Sequence, residues 1–314
     1  MTSADGEPTG RVARLRARQA ALKARSEQLS ERAQAERGHH KSVDTAFEIV
    51  ERDGEVGGGI IAGALAYRLF IWLLPFALVV VAGLGIAANA ASESPEEAAN
   101  SVGLAALVSS SISSAAKSPN RLYALLIGIP ILLYTTRSLL RALIGAHRLV
   151  WTELRAAAPK PTVRATLELL AVLVALVVLT GLGTTVQHES VLLGILATLL
   201  IAFPYAAVWL LVSMRLPHRD ADWKALLPGA LAFGIGLEVL DALATYFLGP
   251  YSVEKQGTYG ALGIAAAILL GLYFLGRVVV FSAAVNATLW ERRIARGRNV
   301  SVAVRAGGPD ASNE

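Results

Sequence analysis

Read for apolar and polar positions, the chain divides into a polar N-terminal stretch, six long apolar runs and a short polar end. Just before the first run, Ser42 stands where it can cap a helix. The apolar positions of that helix, Val43, Ala46, Phe47 and Val50, recur at spacings of three and four. Asp44, Glu48, Glu51 and Arg52 take the remaining positions, as in an amphipathic helix lying along a membrane surface. Gly57-Gly58-Gly59 then lets the chain turn into the bilayer. The six runs are Ile60–Ala91, Leu122–Ile144, Val163–Val186, Val191–Met214, Leu226–Leu248 and Tyr259–Trp290. Each is near or above the roughly 20 residues that cross a hydrocarbon core at 1.5 Å per residue. The first and last are long enough to tilt or to project. Pro75, Pro130 and Pro204 fall inside runs, where neighbouring helices can satisfy the freed carbonyls.

The pattern therefore predicts an all-α polytopic membrane protein of six transmembrane helices. Three regions are expected: a tail over residues 1–42, a six-span domain over 43–292 and a second tail over 293–314. Between Arg11 and Arg37 the first tail is rich in Ala, Arg, Glu and Gln, which favours helix. Leu15, Leu22 and Leu29 recur every seven residues, but Gln19 and Ser26 hold the companion position, too little for a coiled coil. A solvated or lipid-skimming helix is expected there. The loop from Ser92 to Asn120 is acidic, then Ser-rich, with apolar residues interspersed, and an interfacial helix is expected in it.

Composition sharpens this reading. The chain is 54% hydrophobic and 17% charged, with mean hydropathy +0.52, whereas soluble domains carry about 25% charged residues. The net charge of +5 would suit a nucleic-acid partner, but the basic residues follow membrane topology instead. Of 29 Lys and Arg, 24 lie in the termini, the loops on their side and the run ends that adjoin those loops, and three (Lys117, Arg121, Lys255) in the opposite loops. The positive-inside rule then places both termini in the cytoplasm. Trp151, Trp223 and Trp290 fall at the expected inner boundary, and Tyr123, Tyr246, Tyr251 and Tyr259 near the outer one. The basic stretch ahead of the first run is too long for a signal peptide. There is no cysteine, which excludes disulfides, thiolate chemistry and cysteine-ligated zinc.

The spans carry a family pattern. Gly63-Ala-Leu-Ala-Tyr67 followed by Leu74-Pro75-Phe76 resembles the opening of the YihY/BrkB family, once labelled ribonuclease BN. Arg215-Leu-Pro217, Asp222-Trp-Lys224 and Pro228-Gly-Ala-Leu231 are similar to its fourth loop and fifth span. Tyr259-Gly-Ala-Leu-Gly263, Leu270-Gly-Leu-Tyr273 and Asn286-Ala287 resemble its last span. Gly271 and Ser282 depart from the Trp and Gly common at those places. The resemblance covers about Val43 to Glu291 and implies a bacterial inner-membrane protein linked to virulence and envelope traits.

Catalytic chemistry finds no constellation. Nuclease work needs clustered carboxylates for metals or a His pair beside a phosphate clamp. His39, His40, His147, His188 and His218 are scattered, and His39-His40 reads as a solvated pair rather than a metal site. No phosphate-binding GxxxxGK[ST] occurs. Neither an enzyme nor a cofactor is expected.

The informative residues are ionisable ones inside spans: Arg68, Arg137, Arg277, Glu238 and Asp241, with Arg141 below Arg137. A charge at the bilayer centre costs about 2.5–3.5 kcal/mol on insertion scales, so such groups should face protein or water. Counting along each run puts them at similar depth, and Glu238 and Asp241, three apart, share a helical face. One reading is a polar cavity for an anionic group such as a lipid phosphate, which the planar arginine fork suits. The other is a structural network pairing Arg68 or Arg277 with Glu238 or Asp241. Three arginines against two carboxylates leave one cation over. Pro75-Phe-Ala-Leu-Val79 and Pro204-Tyr-Ala-Ala-Val208, each in the first run of its half, faintly suggest inverted repeats. The expected function is transport or flippase-like handling of an anionic, lipid-linked envelope compound, with membrane lipids as partners. The alternative is a non-catalytic membrane scaffold.

Overall fold

The computed structural model describes residues 41–91, 121–153, 158–186, 191–244 and 249–306, with Ala20, Lys23 and Arg25 in the tail. All the regular structure among them is helical: α1 (Lys41–Glu55), α2 (Gly58–Ala91), α3 (Arg121–Val150), α4 (Val163–Val186), α5 (Val191–Ser213), α6 (Trp223–Leu243) and α7 (Gly249–Ala306). The heptad leucines, His39-His40, His188, the Ser92–Asn120 loop and Tyr246 lie outside the described residues.

The chain divides into two units, Met1–Glu51 and Arg52–Glu314. The first contains most of α1, helical as its apolar spacing predicts. The second contains the membrane helices. Among the described residues five stretches are long and apolar enough to cross a membrane: Gly58–Gly83, Leu122–Val150, Val163–Thr180, Trp223–Leu243 and Ala265–Arg296. In the place of the fourth expected run stands α5, a helix of 23 residues whose described side chains begin at Ala202. The chain is a multi-pass membrane protein.

Several ends differ from expectation, each for a local reason. At its C-terminal end α3 runs six residues past Ile144, because His147 and Arg148 are helix-compatible although polar. It stops at a reverse turn in which Thr152 takes a left-handed φ of 51°. Glu153 N donates to Arg148 O and Thr152 N to Leu149 O, the paired bonds that close a helix C-terminus. α6 begins at Trp223, after the extended Asp222, and ends near Leu243. α7 is 58 residues long, about 87 Å at 1.5 Å per residue, and continues through the expected boundary at residue 292.

Within the second unit α2 packs on α3 and α7, α6 packs on α5 and α7, and α4 closes the ring between α3 and α5. Small residues set the closest approaches. A Cβ at Gly276 would stand 2.6 Å from the Ala62 carbonyl oxygen, and one at Gly236 would stand 2.7 Å from Val278. At Gly229 it would strike the Ser282 carbonyl, and the Gly229 N–H instead donates to Asn286 Oδ1 at 2.7 Å. Trp209 stacks on Phe233 with centroids 4.1 Å apart and donates to Ser282 Oγ at 2.9 Å. Asn286 and Ser282 are therefore buried polar groups with partners.

Candidate functional site

The basic loops meet at one end of the bundle. Arg52, at the end of α1, presents its fork to Glu291 of α7 at 2.7 and 2.8 Å and donates from Nε to the last α3 carbonyl, Val150 O. Arg219 reaches the same Glu291 at 3.3 Å and lies over the Trp290 ring. One residue beyond Arg52, Asp53 accepts both arms of Arg277 at 2.7 and 3.1 Å. Gly57 turns the chain between α1 and α2 with φ of 67°. Gly58 leaves room for this pair, since a Cβ there would collide with the Asp53 carboxylate.

A cavity of about 880 Å³ opens at the same end, between α3, α4, α5 and the two connections that flank them. Leu140, Leu143, Ile144, Leu169, Val172 and Leu211 supply apolar wall. Arg148, Lys160, Arg215, Arg219 and His218 bring basic groups to it, against the carboxylates Glu153 and Glu168. Glu168 accepts from Arg164 at 3.0 Å and from Arg215 at 2.7 Å. Arg148 donates to the Glu153 carbonyl, and Thr162 Oγ1 accepts from the Ala165 N–H in the first turn of α4. The volume lies within the roughly 300–1,000 Å³ usual for ligand sites.

This cavity flanks the least buried of the five candidate spans. Of the residues that make α4 a candidate span, 11% are buried, against 28–39% in the other four. α4 leans on the Trp72, Phe76 and Leu132 cluster through Leu170, Leu173 and Val177, and Thr180 accepts from the Tyr205 hydroxyl at 3.1 Å.

The five residues singled out from the sequence are not brought together. Gly276 against Ala62 and Gly236 against Val278 bring α2, α6 and α7 into register near Arg277 and Glu238. Arg277 nevertheless turns to Asp53. Arg68 is exposed and donates to Ser138 Oγ across the α2–α3 seam. Arg137 is half-buried on α3, while Glu238 and Asp241 are half-buried on α6 with Tyr205 within reach of both charges. Among the described residues neither Glu238 nor Asp241 forms an ion pair, so the pairing with Arg68 or Arg277 is not made. None of the five lines the basic-end cavity. Reading along the chain missed Asp53, which sits outside every span, and missed the cavity, whose walls come from separate connections.

The pattern of the family described as virulence factor BrkB matches residues 51–306. The chain belongs to the BrkB family. This BrkB-family chain is also 28% identical over 148 residues to a UPF0761 membrane protein of Rhodospirillum centenum (strain ATCC 51521 / SW). That match covers 44% of the chain and 33% of the relative, so the chain spans about a third of the length of the curated protein it matches. No solved structure matches it.

Proposed function

We propose that the chain is a non-catalytic handler of an anionic amphiphile, of transporter or flippase type, acting on a lipid-linked envelope compound. Its partners in this reading are membrane lipids, with no role for nucleic acid. One observation carries it: the 880 Å³ cavity joins apolar walls to a basic rim beside the least buried candidate span. An acidic head group would meet Arg148, Lys160 and Arg215 while its chains follow Leu143, Leu169 and Leu211. Arginine's planar fork suits phosphate oxygens at two points.

The basic end faces the cytoplasm of the inner membrane in this reading, as the 24-to-3 charge asymmetry favours. Reporter fusions at Ala157, Asp220 and Ser312 should then read inside, and those at Ser118 and Gln256 outside. A second reading, a membrane scaffold, is favoured by α7, which projects well past its apolar stretch. Native mass spectrometry of the purified protein, beside movement of labelled phosphatidylglycerol in vesicles, separates the two. The handler retains anionic lipid and moves it across the bilayer faster than protein-free vesicles do. No retained lipid and no movement would leave the scaffold.

A further inference from the structure

One stripe of α3 is unexplained by packing. Arg137, Arg141, Ile144 and Arg148 follow one another at i, i+4, i+7 and i+11, which stacks them along one side of the helix. The lower two line the cavity. Above them Arg141 is exposed and Arg137 half-buried, and among the described residues neither forms an ion pair or a side-chain hydrogen bond. Eleven residues separate Arg148 from Arg137, so the stripe climbs about 16 Å from the cavity along the span.

Above Glu168 the α4 wall of the cavity offers no counter-charge. From Leu169 to Leu179, α4 has only apolar residues, and its last carboxylate, Glu168, is already engaged by Arg164 and Arg215. On the other flank of α3, Arg68 adds a further cation through its bond to Ser138. Cations held on an exposed face at membrane depth require water or an anion from outside the protein.

We infer that the Arg137–Arg141–Arg148 stripe is a track for the phosphate of an anionic lipid, leading from the basic-end cavity into the membrane beside α4. The inference rests on the handler reading and names its substrate class: the phosphate-bearing head group of a membrane lipid. The head group steps between guanidinium groups spaced by one or two helical turns, and its acyl chains stay against the apolar surface of α4. Charge complementarity identifies the occupant, because the stripe is continuous with a basic-rimmed cavity and has no acidic wall of its own.

The test uses the full chain in phosphatidylglycerol vesicles, with lipid retention and transbilayer movement measured separately. Arg148→Gln should reduce retention. Arg137→Gln and Arg141→Gln should retain lipid within about twofold of the parent yet move it about tenfold more slowly, the loss expected from one charge-assisted contact. Arg137→Lys should fall between, and it covers the case in which Arg137→Gln does not fold. Parent-like movement by both glutamine variants would overturn the track and leave the handler reading standing. No retention or movement by the parent would overturn both. Binding of inorganic phosphate that both glutamine variants abolish, with lipid movement left unchanged, would assign the stripe to free phosphate instead. A shift from dimer to monomer in the glutamine variants would make it a self-association face, and that too would overturn the inference.

Discussion

The α2–α6–α7 side and the α4 side of the bundle solve the same problem differently. On the first, glycines bring backbones together: Gly276 at Ala62, Gly236 at Val278, Gly229 at Ser282. Polar bonds then fix the register, from Trp209 to Ser282 and from Gly229 to Asn286, with Asp53–Arg277 and Arg52–Glu291 at the basic end. On the second, α4 carries large aliphatic residues almost throughout and rests on neighbours through Leu170, Leu173 and Val177. Lipid tails are as apolar as leucine, so greasy contact alone gives a membrane helix little reason to choose protein over lipid. Close approach and hydrogen bonding do. The space left by the weaker packing is where the cavity forms.

The largest effect that can break this contrast is steric. Gly276→Leu should cost about 3 kcal/mol, the upper end for overpacking, because the new atoms meet the Ala62 backbone rather than a mobile side chain. Val174→Leu, on the exposed side of α4, should stay within about 0.5 kcal/mol. Equal losses in the two variants, read as thermal unfolding in detergent, would abolish the distinction.

A smaller effect comes from the ion pair. Arg277→Gln should cost about 2 kcal/mol, below the 3–5 of a fully buried pair because 32% of the Arg277 side chain is open. Combining it with Asp53→Asn should recover much of that loss, whereas combining it with Glu238→Gln should not. Recovery with Glu238→Gln would reassign the partner. Glu168→Gln, on the α4 side, should leave the melting temperature unchanged, since its arginine partners are widely solvated.

The smallest sharpens the account of the tight side. Trp209→Phe keeps the stack on Phe233 but removes the donor to Ser282, and should cost about 1 kcal/mol. Ser282→Ala in the same background should then add almost nothing. A full second loss would show that the two side chains act independently.

Much of this was legible along the chain. An apolar run long enough to cross a bilayer can do little else, so α2, α4 and α5 begin and end within two residues of expectation, and family membership followed from motifs inside the spans. Spacing along each helix was legible too, because a helix advances by a fixed rise. Azimuth was not. Which way Arg277 turns depends on how α2 and α7 are rotated against each other, and that rotation is set by glycines whose neighbours lie hundreds of residues away. So the tertiary structure alone paired Arg277 with Asp53, turned Arg68 toward Ser138, left Glu238 and Asp241 beside Tyr205, and built a cavity from two connections far apart in sequence. The sequence by itself determined that the chain spans a membrane and where its charges stand along each helix; facing is a property of pairs of helices, and no single helix encodes it.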